Sequence, residues 1–414
     1  MASDAQSAML TSDEVAARLG VKVQTLYAYV SRGLIGCLRT PQGSRFDPLE
    51  VEEFAARRRS QPVRRQGSLA AKPLMVLDTD LAVVEDDELY LRGQPAGALA
   101  RSRTVEEVAA WIWTGDYAAE LTRPSQQDLT AAEAFLAAMP AAASRTDQLS
   151  ALALALSATD PQTAAGTAQG LQAAGSRFLL AAPAVLAHSS GGARRQTDSP
   201  ADSSSVAEQL WLALSDQDLQ PEYLQAINAA LILTIDHDLA VSTLAGRIAA
   251  SARGSGYAVL SAALGAFATP LHGHASHSAA RLLRSIRSGQ GPHHAVAEIM
   301  TSTNGRGLPG FGHFAYQDGD CRAKTLLELI PALPHGPAVV EAVAALVEEA
   351  GGSGQLQPNI DLALAALTQA AGMNDDDAPL FFALGRSVGW IAHAIAEYHQ
   401  QPLRLRPQGR YTGP

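Results

Sequence analysis

The sequence predicts a mainly α protein made of two or three folding units, and three observations carry that reading. Beyond residue 73 the chain is a long alanine-rich series of helix-forming stretches punctuated by glycine and proline. At 414 residues it exceeds one ordinary domain of about 150. The first 60 residues hold a compact set of helix starts and stops of their own. Hydrophobic residues make up 47% of the chain, enough for a large core.

In the first unit, Thr11-Ser12-Asp13-Glu14 is a helix start, with a hydroxyl cap and acids in the first turn. Val15, Ala16 and Leu19 form its apolar stripe and Gly20 ends it. A second helix from about Val23 carries Leu26, Tyr29 and Val30 on one face and ends near Gly33. Pro41, Gly43 and Ser44 then make a turn flanked by basic residues, followed by a helix from about Pro48 to Arg59. Residues 1–60 resemble the winged helix-turn-helix of MerR and excisionase proteins. That resemblance implies DNA as partner, with Lys22, Gln24, Thr25 and Tyr27 facing the duplex and Arg39 and Arg45 on the wing. The alternative is a small helical packing or protein-interaction domain.

Charge separates this unit from the rest. Residues 1–66 hold ten Lys/Arg and seven Asp/Glu, a net +3, so the remaining chain carries −13 of the total −10. A basic module on an acidic body fits a polyanionic partner. Residues 61–73 are polar and basic with two prolines and a glycine, and read as a linker. Residues 189–205, rich in Ser, Gly, Asp and Arg, read as an exposed loop without chemistry. The only cysteines are Cys37 and Cys321, which fits a reducing cytoplasm and leaves no zinc spacing. No uninterrupted apolar run reaches 18 residues and no secretory pattern opens the chain, so a cytoplasmic protein without a membrane span is expected. There is no P-loop, no GxGxxG after a strand and no repeat of 20–50 residues.

The chemistry concentrates around Leu308, Pro309, Gly310, Phe311, Gly312 and His313, with Arg322 nine positions later. Glycines there allow close backbone approach, and a guanidinium adds a carboxylate-binding fork. Pro270 closes the apolar run 260–269 and leaves His272 in a loop. Asp236 and His237 follow the apolar 231–235 segment. Asp361 falls where residues 362–367 begin a helix, a position common for a cap or a helix-dipole partner. Arg386 stands alone in an apolar helix and needs an anion or a route to water.

In this order along the chain, these segments resemble the citrate synthase family. The GFGH…R, PLHG, DHxxxxST, PNxD and FxxxGRxxGWxAH patterns appear at residues 310–322, 270–273, 236–243, 358–361 and 381–393. Arg406, Pro407 and the Tyr411-Thr412-Gly413 ending match its closing signature, and residues 78–93 and 105–109 its opening hairpin and first helix. The resemblance runs from about residue 74 to the end. It implies a large helical domain at 74–270 and 370–414, and a small helical domain at 271–369 that closes over the ligands. It further implies condensation of acetyl-CoA with oxaloacetate, Asp361 being the base and His272 and His313 the two donors. His237, Arg322 and Arg386 would hold oxaloacetate, and Arg406 would reach the neighbouring subunit of a homodimer. CoA would be a co-substrate, its adenine along Leu308 to Gly312, with no permanently bound cofactor and no metal. Alternatives are 2-methylcitrate synthesis, or a DNA-binding regulator that senses oxaloacetate or CoA without turnover. Departures from the pattern are Ser276 for a supporting Asn, Gln317 for a basic residue and Cys321 for the Pro of DPR.

Overall fold

The computed structural model describes residues 9–41, 43–60, 76–161, 166–189, 205–269, 272–273, 275–302, 307–350 and 356–413. The expected linker at 61–73, the interior of the 189–205 loop and the helix-closing Pro270 lie outside them.

The N-terminal module runs β1 (Leu10–Thr11), α1 (Ser12–Leu19), α2 (Val23–Ser31), β2 (Leu38–Thr40), β3 (Gly43–Phe46) and α3 (Pro48–Ser60). Thr11 caps α1 in a full capping box with Glu14, and Gly20 closes it in the left-handed conformation. β1, a two-residue strand that no sequence pattern announces, pairs antiparallel with β3, so the sheet order is β1-β3-β2. Leu10, Val15, Leu19, Leu26, Ile35, Phe46, Val51 and Phe54 form the module's own core.

Next come β4 (Ala82–Glu85), β5 (Glu88–Leu91) and β6 (Gln94–Pro95), then α4 (Ala96–Ser102), α5 (Val105–Thr114), α6 (Gln126–Ala137), α7 (Arg145–Thr159), α8 (Ala168–Ser189), α9 (Val206–Leu214), α10 (Pro221–Leu233), α11 (Val241–Ser251) and α12 (Gly256–Phe267). Helix α4 precedes the 105–109 segment, which is therefore the second helix after the hairpin. Thr104, Ser125 and Ser144 cap α5, α6 and α7 in capping boxes. Each such cap contributes about 0.5–2 kcal/mol. The series ends with α13 (Ala275–Arg287), α14 (Pro292–Ser302), α15 (Cys321–Leu327), a 3-10 turn (Ile330–Ala332), α16 (Gly336–Glu349), α17 (Ile360–Ala370) and α18 (Asp377–Tyr398).

The chain packs as two compact units. One comprises residues 79–85, 89–274 and 372–414, with α18 at its centre against α8, α10, α11 and α12. By length and composition α18 could cross a membrane, but 89% of its apolar window is buried inside the protein. Gly385 and Gly389 explain how α10 reaches it: a methyl at Gly389 would overlap the Ile235 carbonyl, and one at Gly385 the Leu231 carbonyl. Gly389→Ala is expected to destabilise the fold by about 1–3 kcal/mol. Gly265→Ala in α12, where a methyl meets nothing, is expected to be neutral or stabilising by up to about 1 kcal/mol. Thermal unfolding of the two variants checks the opposite signs. Leu154 in α7 is exposed while Ala153 and Leu156 beside it are buried. In a helix apolar on most sides, the buried face is not readable from composition.

The other unit comprises residues 1–78, 86–88 and 275–371. Here α17 is the core helix, packed against α13, α15 and α16. Leu362, Leu364 and Leu367 are fully buried, each contributing about 1.5–3 kcal/mol. The N-terminal module belongs to this unit, its α3 lying against α14.

Candidate active site

In the unit built on α17, the glycine-rich loop is fixed to the start of that helix. Gly310 is left-handed at φ 85°, and a Cβ there would stand 2.8 Å from the Leu362 Cβ, so only glycine lets loop and helix meet. The Asn359 backbone N–H donates to the Gly310 carbonyl at 2.9 Å, and Gly312 N–H to the Gln357 carbonyl at 2.8 Å. Asn359 also works from both ends of its amide. Its Nδ2 donates to the Gly312 carbonyl at 3.0 Å, and its Oδ1 caps α17 by accepting the Asp361 N–H at 3.0 Å. The cap is thus Asn359, and Asp361 occupies the first helical turn. Much of the backbone at Leu308–Gly312 expected to meet adenine is spent on these internal bonds, Phe311 N–H going to the Leu308 carbonyl. Pro309 offers no N–H to a ligand.

His313 accepts the Ala315 N–H on Nδ1 at 3.2 Å, so the neutral ring carries its proton on Nε2. The ring stacks on Phe314 with centroids 4.7 Å apart. The loop beyond it is held by Asp87, whose carboxylate accepts the Gln317 and Asp318 N–H groups, each at 2.7 Å. Asp86 and Asp87 form the two-residue turn between β4 and β5, both with positive φ.

Arg322, expected to meet a ligand carboxylate, spends one edge of its fork inside the protein. Its Nε and Nη2 donate to Asp320 at 2.9 and 2.8 Å. Asp320 also accepts the Arg322 N–H at 3.0 Å and the Ile360 N–H at 3.0 Å. Both side chains are buried. Burial works against the Asp320 charge, but the guanidinium outweighs it and holds this carboxyl below the usual range. Asp361 behaves oppositely. Burial pushes its carboxyl up to about 7; Arg322 opposes the rise and Asp320 adds to it.

In the unit built on α18, three helices converge on His272. Its Nε2 lies 2.7 Å from Ser242 Oγ on α11, and that oxygen receives the Trp390 Nε1–H of α18 at 3.3 Å. Tryptophan can only donate, so Ser242 accepts there, and its hydroxyl keeps one lone pair and one hydrogen for His272 Nε2; when the hydrogen points to that nitrogen, the ring proton is on Nδ1. Phe267 packs edge-on at 5.1 Å. Burial, aided by the Arg386 charge, drives His272 down to about 4, so it is neutral near pH 7. Arg386 is buried, donates through Nε to the Thr234 carbonyl at 2.7 Å and lies over the Phe382 ring. His237 is buried at the end of α10, beside the Asp236–His393 pair at 3.0 Å. Arg406 lies in the exposed C-terminal segment. Arg404 anchors that segment to Glu397, which also receives Arg247.

These motifs lie in a stretch, residues 70–408, that matches the family model for the citrate synthase C-terminal domain. The chain belongs to the citrate synthase family. Residues 9–59 match a helix-turn-helix domain model. Citrate synthase 2 of Bacillus subtilis is 31% identical over 218 residues, covering 52% of this chain and 58% of that protein. Citrate synthase of Haloferax volcanii is 28% identical over 368 residues, covering 82% of this chain and 94% of that one. In fold, the chain resembles Thermoplasma acidophilum citrate synthase, solved as a ternary complex with carboxymethyl coenzyme A and oxaloacetate. The TM-score is 0.66 at 24% identity, over 83% of this chain and 95% of that one. The Pyrobaculum aerophilum citrate synthase structure gives 0.64 at 23%, over 92% and 95%.

On the helix-turn-helix module of this family member, Lys22, Gln24 and Thr25 are exposed at the start of α2. Tyr27 is 43% exposed, but its hydroxyl bonds Ser12 at 2.9 Å and Ser44 at 3.2 Å, tying α2 to α1 and the wing. Arg39 and Arg45 both lie on the wing hairpin, and its register separates them. Arg39 pairs with Ser44 and Arg45 with Leu38, so the two arginines lie on opposite faces of the hairpin. Arg39 is on the Tyr27 side, and Arg45 does not share a surface with it.

Sequence reasoning missed Asp320, Asn359, Ser242 and Asp87. Asp320 and Asn359 each precede a helix start, the N-cap signature that could have found them. Nothing local points from Asp87 to a loop 230 residues away.

Proposed function

We propose that this protein condenses acetyl-CoA with oxaloacetate and water to give citrate and free CoA. The observation that carries the reading is Asp361, a carboxyl lifted to about 7 at the start of a buried helix. A base for a carbon acid works best with a pKa near the operating pH. Asp361 takes a methyl proton of the acetyl group. His272 donates its Nδ1–H to the thioester oxygen as the enol forms, and being neutral it does so without a charged ring. The enol carbon attacks the ketone carbon of oxaloacetate, the enol O–H proton returns to His272 as the thioester carbonyl re-forms, and His313 gives its Nε2 proton to the ketone oxygen and regains one from the hydrolytic water. Water then cleaves the thioester and CoA leaves as the thiol. His237, Arg322 and Arg386 hold and orient the acceptor's carboxylates, and Arg406 serves the neighbouring subunit of a homodimer. CoA is a co-substrate, and this chemistry needs no resident cofactor.

The test is release of free thiol from acetyl-CoA that depends on oxaloacetate, with citrate formed in equal amount. A higher kcat/KM with propionyl-CoA would reassign the enzyme to 2-methylcitrate synthesis. Oxaloacetate binding without thiol release would support the sensor reading instead. A sensor needs the arginines but has no use for a carboxyl poised near neutrality.

The module at residues 9–59 supports a second activity, duplex DNA binding, favoured by the exposed Lys22, Gln24 and Thr25 at the start of α2. Lys22→Ala and Arg39→Ala are each expected to weaken binding and to make its salt dependence shallower, by about 0.9 in slope for each phosphate no longer neutralised. Arg45→Ala, on the other wing face, is expected to matter less. An anisotropy titration of the full-length protein at two salt concentrations checks this. Salt-insensitive behaviour would identify a packing or protein-interaction domain.

A further inference from the structure

We propose that Asp320 is a positioning residue that keeps Arg322 from neutralising Asp361, so that Asp361 stays a strong base. The inference rests on the synthase reading for its catalytic meaning, but its geometry stands alone. Asp320 fills its acceptor positions with the Arg322 N–H, Nε and Nη2 and the Ile360 N–H. It therefore grips the guanidinium by one edge and, at the same time, the first residue of α17, immediately before Asp361. One carboxylate fixes both the cation and the base.

Among the described residues, the charges acting on Asp361 are Arg322 and Asp320, with opposite signs of effect. His313 faces Asp320 rather than Asp361. From α13, the Arg287 guanidinium is spent on Gln369 at the far end of α17. His277, Arg281 and Arg284 on α13, Cys321 and Lys324 on α15, whose ammonium donates to the Asp318 carbonyl, and Glu341, Glu348 and Glu349 on α16 are the remaining titratable or charged groups of the helices packed against α17. None of these is among the groups that shift Asp361. Without the Asp320 carboxylate, Arg322 turns its free charge on Asp361 and makes it a weaker base.

Asp320→Asn is the first test, because asparagine caps a helix as well as aspartate and preserves the start of α15. Asp320→Ser, also a capping residue, is the second if the amide variant does not fold. The readout independent of turnover is the melting-temperature difference between wild type and Asp361→Asn across pH. Asp361 is raised in the fold, so its ionisation costs stability as pH climbs from about 4. That cost grows until the folded group ionises, near 7 in the wild type. In the Asp320→Asn background the fall is expected to end about one pH unit lower. The rising limb of the pH–rate profile is expected to move by the same amount. A melting difference that still levels near 7 in the variant would overturn the proposal. If the wild type shows no turnover, the synthase reading fails, and the melting cycle still decides the role of Asp320.

Discussion

Asparagine in place of Asp361 is expected to cut turnover about 10²–10⁴-fold, the contribution of a positioned general base, while oxaloacetate binding stays nearly unchanged. The amide has the shape of the carboxyl but cannot take a proton, and the groups assigned to the oxo acid are arginines and histidines elsewhere. The same substitution has a predictable effect on stability. Ionised Asp361 is held in an environment that resists its charge, so above about pH 7 the variant is expected to be more stable than the wild type. Loss of activity with gain of stability separates a removed catalytic group from a damaged fold. A variant that keeps most of its kcat removes Asp361 from the role of base.

Arg386→Leu and Arg406→Leu are each expected to abolish most activity by weakening oxaloacetate binding, yet their mixture is expected to regain roughly one quarter of the wild-type rate. The quarter follows from symmetry. If Arg406 serves the neighbouring site, half the randomly formed dimers are hybrids, and each hybrid has one site with both arginines intact. Arg406 lies in an exposed terminal segment, whereas Arg386 is buried over Phe382 and bonded to Thr234. Leucine retains part of the apolar stem packing of Arg386, so binding suffers more than folding. Proven subunit exchange with no recovery would assign both arginines to one chain's site.

Much of the candidate chemistry was legible because it is written in short local patterns. Thr11 with Glu14 announces a helix start, and Gly310 and Gly312 announce a backbone that must approach something closely. Arg386 in an apolar helix announces a buried cation with a purpose. The pairings between such patterns were not legible. Arg322 reads as a free carboxylate fork, yet its own Asp320 holds one edge of it, because only the turn into α15 brings the two side chains face to face. Ser242 has no signal of its own; it matters because Trp390 and His272, from two other elements, meet its single oxygen. Arg39 and Arg45 look equivalent until the register of the hairpin sends them to opposite faces.

If Asp361, poised near neutrality, takes the proton from acetyl-CoA, its ionisation must set the pH dependence of the reaction. That dependence is read directly from kcat/KM for acetyl-CoA, by thiol release with saturating oxaloacetate, from about pH 5 to about pH 9. The expected profile rises about tenfold per pH unit and levels off near pH 7. A rate already flat down to the ordinary carboxylate range near about 4, or no release of CoA at any pH, would contradict the role of Asp361 as the base.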